Sequence, residues 1–213
     1  MNLQQLGLKY GTDKSRHTTL GWTYLEIYQR YFASIRENVK VFLEIGILSG
    51  ESCKLWEEYF PNAMIHMIDI NPNCKQYETA RTKIHIGDQN DDDFLARIKD
   101  EVKNIDILID DGSHISSHQI KSFQYLYPNI NSQGFYIIED LRNSYEESVN
   151  SLDLRKEWPG MNLNKPSDPL KNYRKDLNDF FERHIRQLDF QITNNLLSIH
   201  FYPMIAIFEN HKK

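Results

Sequence analysis

The sequence predicts an α/β fold, a doubly wound and mainly parallel sheet that finishes in a C-terminal antiparallel hairpin. Three observations carry this. Apolar runs of strand length alternate with stretches of helical periodicity between residues 41 and 138, which is the pattern of repeated βαβ crossovers. Each run gives way to glycine or to acid, the composition expected where strands open onto one edge of such a sheet. The last two β-rich runs, Leu196 to Phe201 and Met204 to Phe208, are separated only by Tyr202-Pro203, a hairpin spacing.

Taken in order, residues 1–36 read as an N-terminal loop and helix. The loop holds Gly11-Thr-Asp-Lys14 and His17; Asp13, Lys14 and His17 cluster there without a structural reason. Tyr24, Tyr28 and Phe32 recur every four residues and stack on one helix face as core. The first strand, Val41-Phe-Leu-Glu-Ile, runs into Gly46 and Gly50 before a helix from Glu51 to Phe60. Gly46 lets the backbone turn sharply, and Gly50 opens the helix close to whatever lies in the turn. The spacing Glu-x-Gly-x-x-x-Gly is neither the Gly-x-Gly-x-x-Gly of dinucleotide binders nor a P-loop. Glu44 ahead of the turn repels phosphate and suits a cation. S-adenosylmethionine, with a sulfonium, an α-amino group and no phosphate, fits; a plain structural turn is the alternative.

Met64 to Ile70 is the second strand, and Asp69 near its end is placed either to accept hydrogen bonds from ribose hydroxyls or to hold the turn before Asn71-Pro72. Lys83 to Gly87 is the third; Asp88 and Gln89 at its mouth can reach an adenine edge, and Asp91 or Asp92 caps the helix from Phe94 to Val102. Ile105 to Asp110 is the fourth strand, followed by a helix over Ser116 to Tyr127 with Phe123 and Leu126 inward. Gly134 to Ile138 is the fifth and ends at Glu139-Asp140. Residues 142–169 contain Trp158-Pro-Gly160, Pro166 and Pro169, which interrupt any period and read as a lid insertion. A helix resumes from Leu170 to Leu188.

Composition narrows the function classes. At 213 residues, 40% hydrophobic and 26% charged, the chain predicts a single domain over 1–213 with a full core. A net charge of -5 with no basic stripe excludes a nucleic-acid backbone binder. The two cysteines, Cys53 and Cys74, form no Cys-x-x-Cys pair, so neither a disulfide framework nor a zinc ribbon is expected. No signal-like N-terminus and no membrane-length apolar run are present, which predicts a cytoplasmic protein without membrane contact.

Asp110, Asp111, His114, Glu139 and Asp140 converge if the fourth and fifth strands are neighbours. Clustered carboxylates repel unless a cation lies between them, and an oxygen-only set favours a hard divalent ion such as Mg²⁺. Asp110 is assigned to a turn or cap. His114 need not be a ligand: a neutral imidazole beside a metal-bound hydroxyl is suited to take its proton. His118 is assigned a structural role.

Gly11-Thr-Asp-Lys14 with His17, the Leu43-Glu-Ile-Gly46 to Gly50 turn, Trp56, Phe60, Asp69, Gly87-Asp-Gln89, Ile109-Asp-Asp-Gly-Ser-His114, Ile138-Glu-Asp-Leu141 and Ser198-Ile-His-Phe-Tyr202 together resemble the Mg²⁺-dependent macrolide-sugar O-methyltransferases of the mycinamicin and macrocin type. These lie within the Rossmann-like class I S-adenosylmethionine methyltransferases. The resemblance implies that Asp111, Glu139 and Asp140 hold the metal, that His114 is the general base, and that Glu44, Gly46, Gly50, Asp69, Asp88 and Gln89 line the cofactor. The implied reaction is methyl transfer to a sugar hydroxyl of a glycoside, polysaccharide precursor or natural product, with a homo-oligomer as the implied assembly. Enzymes of this type can carry a further N-terminal domain for which 213 residues leave no room, so acceptor recognition does not carry over. Rival expectations are a catechol or a phosphorylated or phosphoramidated acceptor, a cofactor-binding partner subunit without turnover, and a nicotinamide oxidoreductase, the last disfavoured by the missing Gly-x-Gly.

Overall fold

Alternate residues of the strands are apolar on both sides, and the chain uses this to cover its sheet twice. The computed structural model describes residues 1–17, 21–144, 173–192 and 195–211. Its elements are α1 (Leu3–Tyr10), α2 (Tyr24–Phe32), β1 (Val41–Ile45), α3 (Glu51–Tyr59), β2 (Met64–Asp69), β3 (Thr82–Ile86), α4 (Asp92–Glu101), β4 (Ile105–Asp110), α5 (Ser116–Leu126), β5 (Ile130–Ile138), α6 (Tyr173–Asp189), β6 (Leu196–Tyr202) and β7 (Ile205–Asn210), with short 3-10 turns at Asp13–Ser15, Pro72–Tyr77, Tyr127–Asn129 and Leu141–Ser144.

The seven strands lie in the order β3-β2-β1-β4-β5-β7-β6. β1 to β5 are parallel, and β7 pairs antiparallel with both β5 and β6. The predicted sheet and its closing hairpin are therefore present, and β4 and β5 are neighbours. Phe42, Ile65, Ile107 and Ile137 face a core built with α1, α2 and α3 through Leu6, Tyr28 and Trp56. Leu43, Ile68, Leu108 and Ile138 face the other core, with Leu95, Phe123 and Phe180 from α4, α5 and α6. The order of the strands reverses at β1 and β4, so the ends of these two frame a crevice.

Two local features differ from expectation. The N-terminal stretch begins with a helix, α1, rather than a loop: Asn2 and Gln5 form a reciprocal capping box, with N···O distances of 2.9 and 3.0 Å, and Gly11 at φ +79° ends the helix. Leu3 and Leu6 are too few to announce it by periodicity. β5 starts at Ile130, four residues ahead of Gly134, because Ile130 pairs with Ile105 across an irregular register. The expected insertion at 142–169 lies, from residue 145 onward, outside the described residues. Among the described residues no helix is long and apolar enough to cross a membrane.

A histidine pair on β2 and β3, of which His85 is buried, gives the fold a pH dependence. His66 Nδ1 and His85 Nε2 are 3.0 Å apart, and His85 Nδ1 lies 3.6 Å from Glu101. Burial, then His66 and Lys83, push the His85 imidazole down to about 4 from 6.5. A base whose native pKa is depressed stabilises the fold above its unfolded pKa, and that stability drains as pH falls from about 6.5 towards 4. The loss expected is about 1–3 kcal/mol, and His85→Asn should flatten it. Urea unfolding at neutral and at acidic pH checks this; parallel losses in wild type and variant would remove His85 as the cause.

Candidate active site

Gly46 continues β1 at φ +99°, a conformation only glycine adopts without strain. Its N–H donates to the Ile68 carbonyl at 2.8 Å, and Asp111 N–H donates to the Ile45 carbonyl at 2.9 Å. The turn after β1 and the loop after β4 are thereby packed backbone to backbone: a Cβ on Gly46 would lie 2.1 Å from the Asp111 carbonyl oxygen. Gly50, at φ +84°, opens α3 against the Tyr77 ring. Asp69 at the end of β2 accepts from Ile47 N–H at 2.9 Å, Leu48 N–H at 3.4 Å and Asn71 N–H at 2.8 Å, so it holds the turn that it also borders.

A cavity of about 500 Å³ opens at this point. Of the residues expected at the site, Gly46, Asp69, Asp88, Gln89, Asp111, His114 and Asp140 line it, together with Lys14 and His118. Glu44, Gly50 and Glu139 are outside the lining. Asp88 sits exposed at the rim and accepts from Asn90 N–H at 2.8 Å. Gln89 is buried, accepting from Ser113 N–H at 2.6 Å and donating to Asp110 and Ser122 at 3.2 Å each. It braces the β4 loop from inside. Asp110 is fully buried, and burial pushes its carboxyl up to about 6.

Behind one wall, β1, the 3-10 turn at Asp13–Ser15 and the ends of β4 and β5 bring three acids and one lysine together. Lys14 Nζ donates to both Glu139 oxygens at 2.9 Å and to Asp111 Oδ2, and lies 3.3 Å from Glu44 Oε1. Burial opposes its charge, but Asp111, Glu139 and Glu44 outweigh that and hold the ammonium well above the usual lysine range. Burial pushes Glu44 up to about 7 against the pull of Lys14. Glu139 is held well above the carboxylate range by burial and by Asp111. Trp56 Nε1 donates to Glu44 Oε2 at 3.0 Å.

The tyrosines of α2 do more than pack. Tyr28 Oη donates to Glu139 Oε1 and Tyr24 Oη to Asp140 Oδ1, each at 2.5 Å. Burial first, then the acids, keep both hydroxyls protonated and therefore donors. Sequence periodicity assigned them to core alone; the signal missed was tyrosine rather than phenylalanine at buried helix positions, since a buried hydroxyl needs a partner. Lys14 had a signal, the unexplained polar run, but no partner in view. His17 is exposed and bonds to the Gly21 carbonyl at 3.1 Å, away from the cavity lining.

His114 and Asp140 face each other from adjoining loops, both in the left-handed region at φ +56° and +57°. His114 Nε2 lies 3.6 Å from Asp140 Oδ2, and its buried Nδ1 has no hydrogen-bond partner. Non-glycine residues held in this region concentrate at functional sites. His118 Nδ1 lies 3.0 Å from Ser113 Oγ.

Among the described residues, two sets bring ligand atoms within 4.8 Å of one another: Asp111, His114 and Asp140, and Glu44, Asp111 and Glu139. Asp111 belongs to both. The two carboxylates of the outer set, Asp111 and Asp140, border the cavity and fit a hard divalent cation, with the His114 imidazole beside them. Glu139 adjoins through Asp111; a carboxylate offers about four acceptor positions, and Lys14 and Tyr28 leave Oε2 with capacity to spare. The turn at Gly46, with no side chain and an acid behind it, fits a cationic cofactor.

No protein-family model matches the chain. It is 35% identical over 153 residues to an 8-demethyl-8-alpha-L-rhamnosyl tetracenomycin-C 2'-O-methyltransferase of Streptomyces olivaceus, covering 67% of this chain and 38% of that protein. It is 34% identical over 166 residues to a mycinamicin VI 2''-O-methyltransferase of Micromonospora griseorubida, covering 75% of this chain and 38% of that protein. The chain thus spans well under half the length of these relatives. Among solved structures, the MycE methyltransferase of the mycinamycin biosynthetic pathway, in complex with Mg, SAH and mycinamycin VI, superposes with a TM-score of 0.78 at 29% identity, covering 100% of this chain and 55% of that one.

Proposed function

The chain has the class I methyltransferase fold and is a homologue of sugar O-methyltransferases of the mycinamicin and tetracenomycin type, and from that premise we propose that it is an S-adenosylmethionine- and Mg²⁺-dependent O-methyltransferase acting on a sugar hydroxyl. The observation that carries the proposal is the juxtaposition, around one cavity, of the Gly46 turn and the Asp111, His114 and Asp140 set. Gly46, Asp69, Asp88 and Gln89 would border the cofactor, with Glu44 and Gly50 supporting that wall from behind. Asp111, Glu139 and Asp140 would hold the cation, which when bound supplies a Lewis acid that makes a hydroxyl easier to deprotonate. We place the reaction in the cytoplasm and the protein in a homo-oligomer.

The residues of this chain then have defined tasks. His114 takes the hydroxyl proton as the acceptor oxygen forms its bond to the methyl carbon and the carbon–sulfur bond breaks. The proton remains on the imidazole, and Asp140, 3.6 Å away, stabilises the imidazolium. Tyr24 fixes the Asp140 carboxylate through its other oxygen.

Calorimetric titration with S-adenosylmethionine, with and without Mg²⁺, followed by methyl transfer to a panel of vicinal-diol glycosides, catechols and phosphorylated compounds, tests the assignment. Binding with Mg²⁺-dependent transfer to a glycoside is expected. Absence of binding in both conditions, or transfer undiminished in chelator, would overturn it. Within the same assay, Tyr24→Phe should weaken Mg²⁺ about 10–100-fold with cofactor affinity preserved; equal metal affinity in the variant would show that the Tyr24 hydroxyl contributes packing alone.

A further inference from the structure

The inner acid set, Glu44, Asp111 and Glu139, has the make-up of a cation site, yet it surrounds a side chain of the same protein. Lys14 is 3% exposed, and Glu44 and Glu139 are 0% and 1% exposed on their side chains. An ammonium has three hydrogens, and here Nζ bonds to Asp111 Oδ2 and to the two Glu139 oxygens. Glu44 Oε1 is left facing the charge at 3.3 Å with no hydrogen-bond donor, a buried carboxylate oxygen without a hydrogen-bond partner. A divalent ion is not limited in this way: it takes six or more oxygens around a sphere. The three carboxylates converge on a point as ligands would, and the lysine satisfies them incompletely.

We propose that Lys14 is a built-in cation filling a second divalent seat formed by Glu44, Asp111 and Glu139, so that the mouth accepts one exchangeable ion where its acids would otherwise accept two. Asp111 is shared by the two sets. With one of its oxygens bonded to Lys14, it presents a single negative charge already partly neutralised, and the outer seat is tuned by a group that cannot leave. Lys14 is thus a positioning residue: it sets the number and strength of bound ions through the acids it holds. The inference rests on the cation-dependent reading of the outer set, and the experiment reports on the two separately.

The test counts Mn²⁺ bound per chain, by electron paramagnetic resonance of the free ion, for the wild-type protein, Lys14→Met and the double variant Lys14→Met/Glu44→Gln. Lys14→Met should bind one ion more than wild type, and the double variant should return to the wild-type count. An unchanged count in folded Lys14→Met overturns the proposal. If Lys14→Met is unfolded without metal, millimolar Mn²⁺ should restore its circular dichroism; a variant that stays unfolded overturns the proposal equally. The wild-type count itself tests the outer seat: zero there removes the metal-dependent reaction, while the difference between the proteins still decides the role of Lys14.

Discussion

Replacing His114 with asparagine is expected to lower turnover at saturating acceptor by about 10²–10⁴-fold, with the affinity for S-adenosylmethionine unchanged. Asparagine is the informative choice because His114 sits at φ +56°. Asparagine adopts that region more readily than alanine, so the variant loses the imidazole without gaining backbone strain. The effect belongs to kcat because the proton is removed from the acceptor and not from the cofactor. Steady-state kinetics with calorimetry of cofactor binding provides the check. Turnover within a few-fold of wild type would end the assignment of His114 as base, while a matching loss of cofactor affinity would relocate it to the cofactor wall.

Gly46→Ala is expected to produce the largest loss of stability, about 2–6 kcal/mol, from the strain of a left-handed alanine together with overpacking. The new Cβ would sit 2.1 Å from the Asp111 carbonyl oxygen, and neither partner is a flexible side chain that can swing aside. The β4 loop must move, and it carries Asp111 and His114. The variant should therefore lose cation binding as well as stability, which separates it from an ordinary core defect. Urea unfolding and Mn²⁺ titration of the same preparation test both parts. A loss below about 1 kcal/mol, the range of a mild overpacking, would show that the turn has slack that the backbone contact denies.

The parallel sheet was legible because its strands are buried on both faces, so Val41 to Ile45 and Ile105 to Ile109 read as apolar runs broken by one acid each, Glu44 and Asp106. The carboxyl-edge acids were legible for a related reason, since topology alone brings the ends of β1, β4 and β5 together. What the sequence concealed is what side chains do across long separations. Gln89 was expected at the cofactor; it lines the cavity, and its second task, bracing Ser113, was not visible. Tyr24 and Tyr28 had a periodicity that their rings explain completely, so their hydroxyls went unaccounted for. Lys14 was conspicuous, but the acids it answers are 30 to 125 positions distant. α1 was concealed by its polarity, its start being fixed by a cap and not by a stripe.

That separation has a consequence for how the molecule comes into being. Contacts between distant positions form late because the intervening chain must first be closed. The alternating strands and helices from residue 41 onward can associate with near neighbours, whereas Lys14, Tyr24 and Tyr28 reach acids 97 to 125 residues away. An assembling chain with its sheet formed and residues 1–32 not yet docked exposes uncompensated negative charge at the future mouth. Docking of the N-terminal helices brings Lys14 and the two tyrosines to those acids and discharges that repulsion, so the reactive centre is complete only once residues 1–32 have docked.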